Sequence, residues 1–124
     1  MRRAEPPAQS SAAAGARAEA LAADYLGRRG LAILARNFRT RRGEIDVVAR
    51  DRGTLVFVEV RLRSGSAFGG AAASITPAKR ARLLAAADAY LATLDRVPPC
   101  RFDAVLLDAL DPARIAWVRG VIEA

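Results

Sequence analysis

The sequence predicts an α/β domain, a mixed five-stranded sheet flanked by helices in the order α-β-β-β-α-β-β. Three observations predict it. Two segments carry apolar residues at helical spacing, one before and one after a block of three β-prone segments. Those three segments follow one another with short turns, as in a meander. The second helical segment then acts as a crossover, which suggests a mixed sheet with helices packed on it.

Residues 1–14 are small, polar and proline-containing, and read as a disordered tail, with the domain proper spanning 15–124. Residues 16–29 form the first helix, with Ala18, Leu21, Ala22, Tyr25 and Leu26 on one face and Gly30 as its stop. Residues 31–38 (LAILARNF) read as a strand, and Arg39 to Gly43 as a basic turn. Residues 44–50 (EIDVVAR) alternate, which predicts Ile45 and Val47 on one face and Glu44, Asp46 and Val48 on the other. Asp51-Arg52-Gly53 is a hairpin turn, and 54–62 (TLVFVEVRL) is a strongly β-prone strand.

The glycine-rich segment 63–75 reads as a flexible loop. Thr76 is a helix N-cap with Pro77 at the first helical position. Leu83, Leu84, Ala87, Tyr90, Leu91 and Leu94 make the buried stripe of the second helix. Val97-Pro98-Pro99 is a linker, and 101–108 and 114–119 are the last two strands.

Composition excludes several kinds of chemistry. The chain has no histidine, so no Ser-His-Asp triad, Cys-His pair or imidazole-ligated zinc can exist. A single cysteine, Cys100, rules out an internal disulfide and fits a reducing compartment. No apolar run is long enough to span a membrane. Arg2 and Arg3 are not followed by an apolar stretch, because Glu5, Pro6 and Pro7 interrupt it, so no signal peptide and a cytoplasmic location are expected. The net charge is +7, and 19 of the 20 basic residues are arginine. Such a field attracts polyanions, nucleic acid foremost, although an arginine-rich composition also follows from a GC-rich genome.

The chemistry the sequence does carry is carboxylate chemistry. Asp46 lies on the second strand and Glu59 on the third, and the short hairpin lets them converge at one end of the sheet. Alternation puts Glu59 on the same face as Arg61. Two convergent carboxylates make a hard-oxygen site suited to Mg²⁺ or Mn²⁺. The alternative is a pair of acids neutralised by the many arginines. Against it, Glu59 interrupts the apolar run Leu55–Val60, where a charge is seldom placed without a partner or a role.

These elements resemble a known family. G-E-I-D (Gly43–Asp46) followed by V-F-V-E-V-R (Val56–Arg61) is similar to the YraN family of small bacterial proteins, itself similar to the PD-(D/E)xK nuclease superfamily near the archaeal-type Holliday-junction resolvases. The likeness extends to A-E-x-L-A-x-x-Y-L (Ala18–Leu26), R-N-F-R (Arg36–Arg39), T-P-x-K (Thr76–Lys79) and R-F-D (Arg101–Asp103). It implies a restriction-endonuclease-like core and a metal-dependent endonuclease-like activity on DNA, branched DNA included. It implies metal ligation by Asp46 and Glu59, with Glu19 completing the site and Arg61 standing in the place of the superfamily's lysine. An arginine there can serve as a fixed cation but not as a base. A catalytically weak nucleic-acid-binding module of the same fold is the alternative. Junction resolvases act as dimers, so a homodimer is admitted by analogy.

The residues add detail to this reading. On a helical wheel Glu19 lies within roughly 20° of Leu26, at the edge of the buried face, although an acid favoured by the helix dipole would read the same way. Lys79 falls within about 40° of Leu83, as a phosphate contact or a cation at the edge of the site, while Arg80 and Arg82 are expected to face away. Arg36, Arg39, Arg41 and Arg42 form a basic patch placed for a nucleic-acid backbone, or else solvated surface charges. Asp103 is expected to pair with Arg101 or a helix arginine in a structural role. Trp117 is expected in the core, and Cys100 is not expected to be catalytic.

Overall fold

The computed structural model describes residues 11–63, 75–108 and 110–122. Helix α1 (Ser11–Arg28) is followed by strands β1 (Ala32–Arg39), β2 (Glu44–Asp51) and β3 (Thr54–Arg63), helix α2 (Pro77–Leu91), and strands β4 (Cys100–Asp108) and β5 (Ile115–Ile122). The element order is the one the sequence predicts. The five strands form one sheet in sequence order. β3 and β4 pair in parallel across the α2 crossover, and the other neighbours pair antiparallel. The architecture is consistent with a restriction-endonuclease-like core.

The helices cover opposite faces of the sheet. Ala18, Ala22 and Leu26 of α1 bury against Val47, Ala49, Val56, Val58, Val105 and Leu107. Leu83, Ala86 and Ala87 of α2 bury against Ile45, Val48, Leu55, Phe57 and Phe102. A sheet buried on both sides explains why β2, β3 and β4 read as nearly continuous apolar runs. Under α2 the Tyr90 ring meets Phe38 and Phe57 edge-on, with centroids 5.2 and 6.0 Å apart, and Phe57 packs on Phe102.

Several boundaries differ from expectation. α1 starts at Ser11, so part of the segment read as a tail is helical. Its run of alanines has the strongest helix propensity available, which composition-based reading undervalues. Residues 1–10 and most of the glycine-rich segment 63–75 lie outside the described residues. Gly30 ends the first helical region with φ of 99°, as its position predicts. Leu84, placed in the buried stripe of α2 by spacing, is 37% exposed, and Ala86 takes its place in the core. α2 ends at Leu91, ahead of Leu94, although Leu94 still packs against the same core.

The most informative difference lies in β2. Ile45 and Val47 do not share a face: Ile45 packs with Val48 under α2, whereas Val47 packs with Ala49 under α1. Alternation therefore breaks at Asp46. The partner strand breaks at the same level, because Asn37, between the pairs Arg36↔Val47 and Phe38↔Ile45, has φ of 58°. The register of β2 with β3 also stops there, at Val47↔Val58. The sheet opens where Asp46 sits.

Candidate functional site

The opening between β2 and β3 leaves the Val60 N–H without a strand partner on β2. Asp46 supplies one: its Oδ2 accepts the Val60 N–H at 2.7 Å. A side chain thus closes the ladder where backbone pairing ends. That bond fixes the Asp46 carboxyl beside Glu59, one residue earlier on β3.

Glu59 and Arg61 project together toward α2, as alternation predicts. Arg61 Nη1 lies 3.6 Å from Glu59 Oε2, and Lys79 Nζ approaches the same oxygen at 3.7 Å. Lys79 is placed by the start of α2. Thr76 caps that helix by accepting the Lys79 N–H at 3.2 Å, with Pro77 in the first turn, as predicted. Glu19 of α1 lines the same cleft as these residues, close enough for Asp46 to act on its ionisation. It sits two turns inside α1, so the helix dipole does not account for it.

Together these groups line a cleft of about 310 Å³, with Glu19, Glu44, Asp46, Glu59, Arg61, Lys79 and Arg82 as its charged residues. Arg82 is a correction: it was expected to face away, but it lines the cleft and its charge acts on Glu59. Its spacing of three from Lys79, which puts both on one helix face, is the signal that could have found it. Glu44 and the Val60 N–H were also missing from the expected site.

α2 approaches this region closely because residue 43 has no side chain. A Cβ built at Gly43 would lie 2.0 Å from the Arg82 carbonyl oxygen. The glycine of the G-E-I-D element therefore acts through packing, by letting α2 rest on the β1–β2 turn. In that turn Thr40 Oγ1 accepts the N–H groups of Arg42 and Gly43. Arg41 and Arg42 are exposed beside it and do not line the cleft. Arg36 and Arg39 lie on β1 within electrostatic reach of Glu19. Arg39 is also held by Asn37 at 3.0 Å and by Glu44 at 3.5 Å.

The electrostatics of the cluster are dominated by the burial of its carboxylates. Burial, reinforced by the charges of Glu59 and Glu19, pushes the Asp46 carboxyl up to about 8, against the bond from Val60. Burial also raises Glu59, with Arg61 pulling the other way, and raises Glu19. Buried acids this near one another oppose each other's ionisation.

The donor set fits Mg²⁺ or Mn²⁺. It consists of hard carboxylate oxygens with no thiolate or imidazole, and its central member is raised by burial and by the neighbouring acids. The geometry is not ready-made. Among the described residues no three acidic or thiol groups are already gathered around one point, since Glu59 is turned to Lys79 and Arg61. The Nε of Arg61 is buried without a hydrogen-bond partner among the described residues, a donor aimed into the protein with no acceptor.

The remaining polar residues sort cleanly. Asp103 is 1% exposed and fully engaged: it accepts from Arg101 Nε at 2.9 Å and Nη2 at 3.0 Å, from the Trp117 indole at 2.9 Å and from the Gly120 N–H at 3.0 Å. Arg101 also reaches Asp51 at 3.2 Å, near the β2–β3 hairpin and away from the cleft. Trp117 packs against the α1-side core. Burial raises the Cys100 thiol, which donates to the Pro98 carbonyl, the opposite of an activated nucleophile. No helix among the described residues is long and apolar enough to cross a membrane.

Comparison with known proteins now places the chain. Residues 18–107 match the model of the uncharacterised protein family UPF0102. A UPF0102 protein of Cupriavidus taiwanensis is 58% identical over 116 residues, covering 93% of this chain and 86% of the relative. A UPF0102 protein of Cupriavidus metallidurans is 55% identical over 118 residues, covering 94% and 86%. One from Nitrosomonas europaea is 49% identical over 109 residues, covering 88% and 92%. The matched region contains the cleft residues from Glu19 through Arg82 together with Arg101 and Asp103, and the chain belongs to the UPF0102 (YraN) family, a PD-(D/E)xK nuclease-like family.

Proposed function

We propose that the protein is a Mg²⁺- or Mn²⁺-dependent endonuclease that hydrolyses phosphodiester bonds in DNA, with branched DNA among its substrates. The observation that carries this reading is that Asp46, Glu59 and Glu19 line one cleft together with Arg61, Lys79 and Arg82. Asp46 and Glu59 would hold the ion and Glu19 would complete the site. The ion, when bound, would polarise the phosphodiester and a water. Arg61 cannot give up its proton at working pH, so its part is that of a fixed positive charge beside the phosphate. Arg36, Arg39, Arg41 and Arg42 would carry the flanking backbone, in a chain of net charge +7.

A second reading, a nucleic-acid-binding module with little turnover, draws support from Arg61 in the lysine position and from carboxylates not gathered in advance. One experiment separates the two. The protein is incubated with linear, flap and four-way DNA, with and without Mn²⁺ or Mg²⁺. Metal-dependent cleavage that disappears in the Asp46→Ala, Glu59→Ala double variant supports the endonuclease. Salt-dependent binding without cleavage supports the module, and cleavage that survives in the double variant removes the assignment.

A further inference from the structure

We propose that Lys79 is a built-in counter-ion: it occupies Glu59 while no divalent ion is bound and must release it for the ion to enter. The inference rests on the reading of Asp46 and Glu59 as ion ligands and goes beyond it. It assigns Lys79 a role against the ion, where the sequence suggests a phosphate contact or a cation at the edge of the site.

Three observations lead here. First, Lys79 is the only lysine among 20 basic residues. Whatever favours arginine throughout this chain does not operate at this position. Second, Lys79 Nζ and Arg61 Nη1 both approach one oxygen, Glu59 Oε2, at 3.7 and 3.6 Å. The Glu59 side chain is only 13% exposed, so water screens these contacts poorly. Third, the second acid is engaged as well, because Asp46 Oδ2 already accepts the Val60 N–H. An arriving ion therefore meets ligands that have partners, and the partner of Glu59 on α2 is joined to it through a single ammonium contact. Arg61 belongs to the sheet and its Nε is buried, whereas Lys79 sits in the first turn of α2 on a flexible stem.

Lysine suits that task better than arginine. An ammonium is a compact, strongly hydrated point charge that detaches from one oxygen with little geometric loss. A guanidinium engages both carboxylate oxygens at once through a planar fork and releases them less readily. Among the described residues, the charges that act on Glu59 are Arg61, Lys79 and Arg82, all positive, and Asp46 and Glu44, both negative. Removing Lys79 therefore shifts the local balance toward the carboxylates without emptying it of cations.

The test is a titration of the full-length protein with Mn²⁺, read by the loss of the free-ion paramagnetic resonance signal, on wild type, Lys79→Met and Lys79→Arg. Thermal unfolding without metal checks that each variant is folded. The expected order of affinity is Met over Lys over Arg. Lys79→Met should bind about tenfold more tightly and Lys79→Arg a few-fold more weakly than wild type, as for a partly buried pair. Lys79→Arg equal to wild type would reduce the effect to simple charge repulsion and overturn the proposal, as would Lys79→Met binding no more tightly. In either case measurable Mn²⁺ binding by wild type leaves the endonuclease reading intact. No Mn²⁺ binding by any of the three up to millimolar concentration overturns both. Binding by Lys79→Met alone supports the counter-ion role in its strongest form.

Discussion

Gly43 and Arg82 touch through their backbones: the α2 carbonyl at Arg82 occupies the space that a side chain on residue 43 would need. The contact couples the turn ahead of Asp46 to the helix that carries Lys79. Gly43→Ala must push α2 off the sheet or deform the turn, because the obstructing atom is backbone. The expected loss is about 2–3 kcal/mol in urea unfolding, typical of overpacking against an unyielding neighbour. DNA cleavage should fall further than stability alone predicts, since the cleft wall moves with the helix.

The pH dependence of stability follows from Asp46. In the folded protein its carboxyl stays protonated up to about 8, whereas in the unfolded chain it ionises near its ordinary value of 3.8. Between those limits the folded state holds a proton that the unfolded state has released. The contribution to stability is therefore complete below the lower value and is lost as pH rises through the upper one. Glu59 and Glu19 are also raised and act with the same sign. Urea midpoints of metal-free protein should decline from about pH 4 to about pH 8. Asp46→Asn, which keeps an acceptor for the Val60 N–H, should flatten that decline and raise stability at neutral pH by on the order of 1–2 kcal/mol. An unchanged slope in Asp46→Asn contradicts the assignment.

Arg61 distinguishes a fixed charge from a proton carrier. Arg61→Lys should retain cleavage within about tenfold, because a positive charge remains beside Glu59, while Arg61→Met should lose at least a hundredfold, about the cost of removing one stabilising donor. A large gain in Arg61→Lys, with a new dependence on alkaline pH, would point to proton transfer instead.

Asp103 is a structural anchor. Asp103→Ala leaves the Arg101 guanidinium, the Trp117 indole N–H and the Gly120 N–H without their shared acceptor in a buried place. A loss of about 3–5 kcal/mol is expected in chemical denaturation. Metal affinity per folded molecule should be unchanged, as no residue of this network lines the cleft.

The exposed arginines of the β1–β2 turn are expected to act on the backbone of DNA. Arg41→Ala with Arg42→Ala should weaken binding about equally across sequences and lower the salt slope by roughly 2. Fluorescence anisotropy over a salt series reads this directly, and an unaltered slope removes both residues from the interface.

Much of this was legible in the sequence, for identifiable reasons. Element order, the Thr76-Pro77 helix start and the common face of Glu59 and Arg61 are local properties, fixed by capping chemistry and by two-residue alternation. The pairing of Asp103 with Arg101 needs only two residues on one strand face. What alternation could not reveal is its own failure at Asp46, where a left-handed Asn37 on the neighbouring strand and the end of pairing with β3 turn the chain. Nor could it show that Gly43 yields its place to a helix some forty positions later in the chain. Arg82 and Glu44 were missed because each looks like a surface charge until α2 is seen resting on that turn.

The bond from Val60 to Asp46 gives one acid a double duty. Asp46 is at once a candidate ligand and the stitch that finishes the sheet, so deleting it unpicks the fabric as well as the chemistry. Glu59 bears no such duty. A descendant of this chain selected for its fold alone would be free to shed Glu59 early and would keep an acceptor at position 46 long afterward.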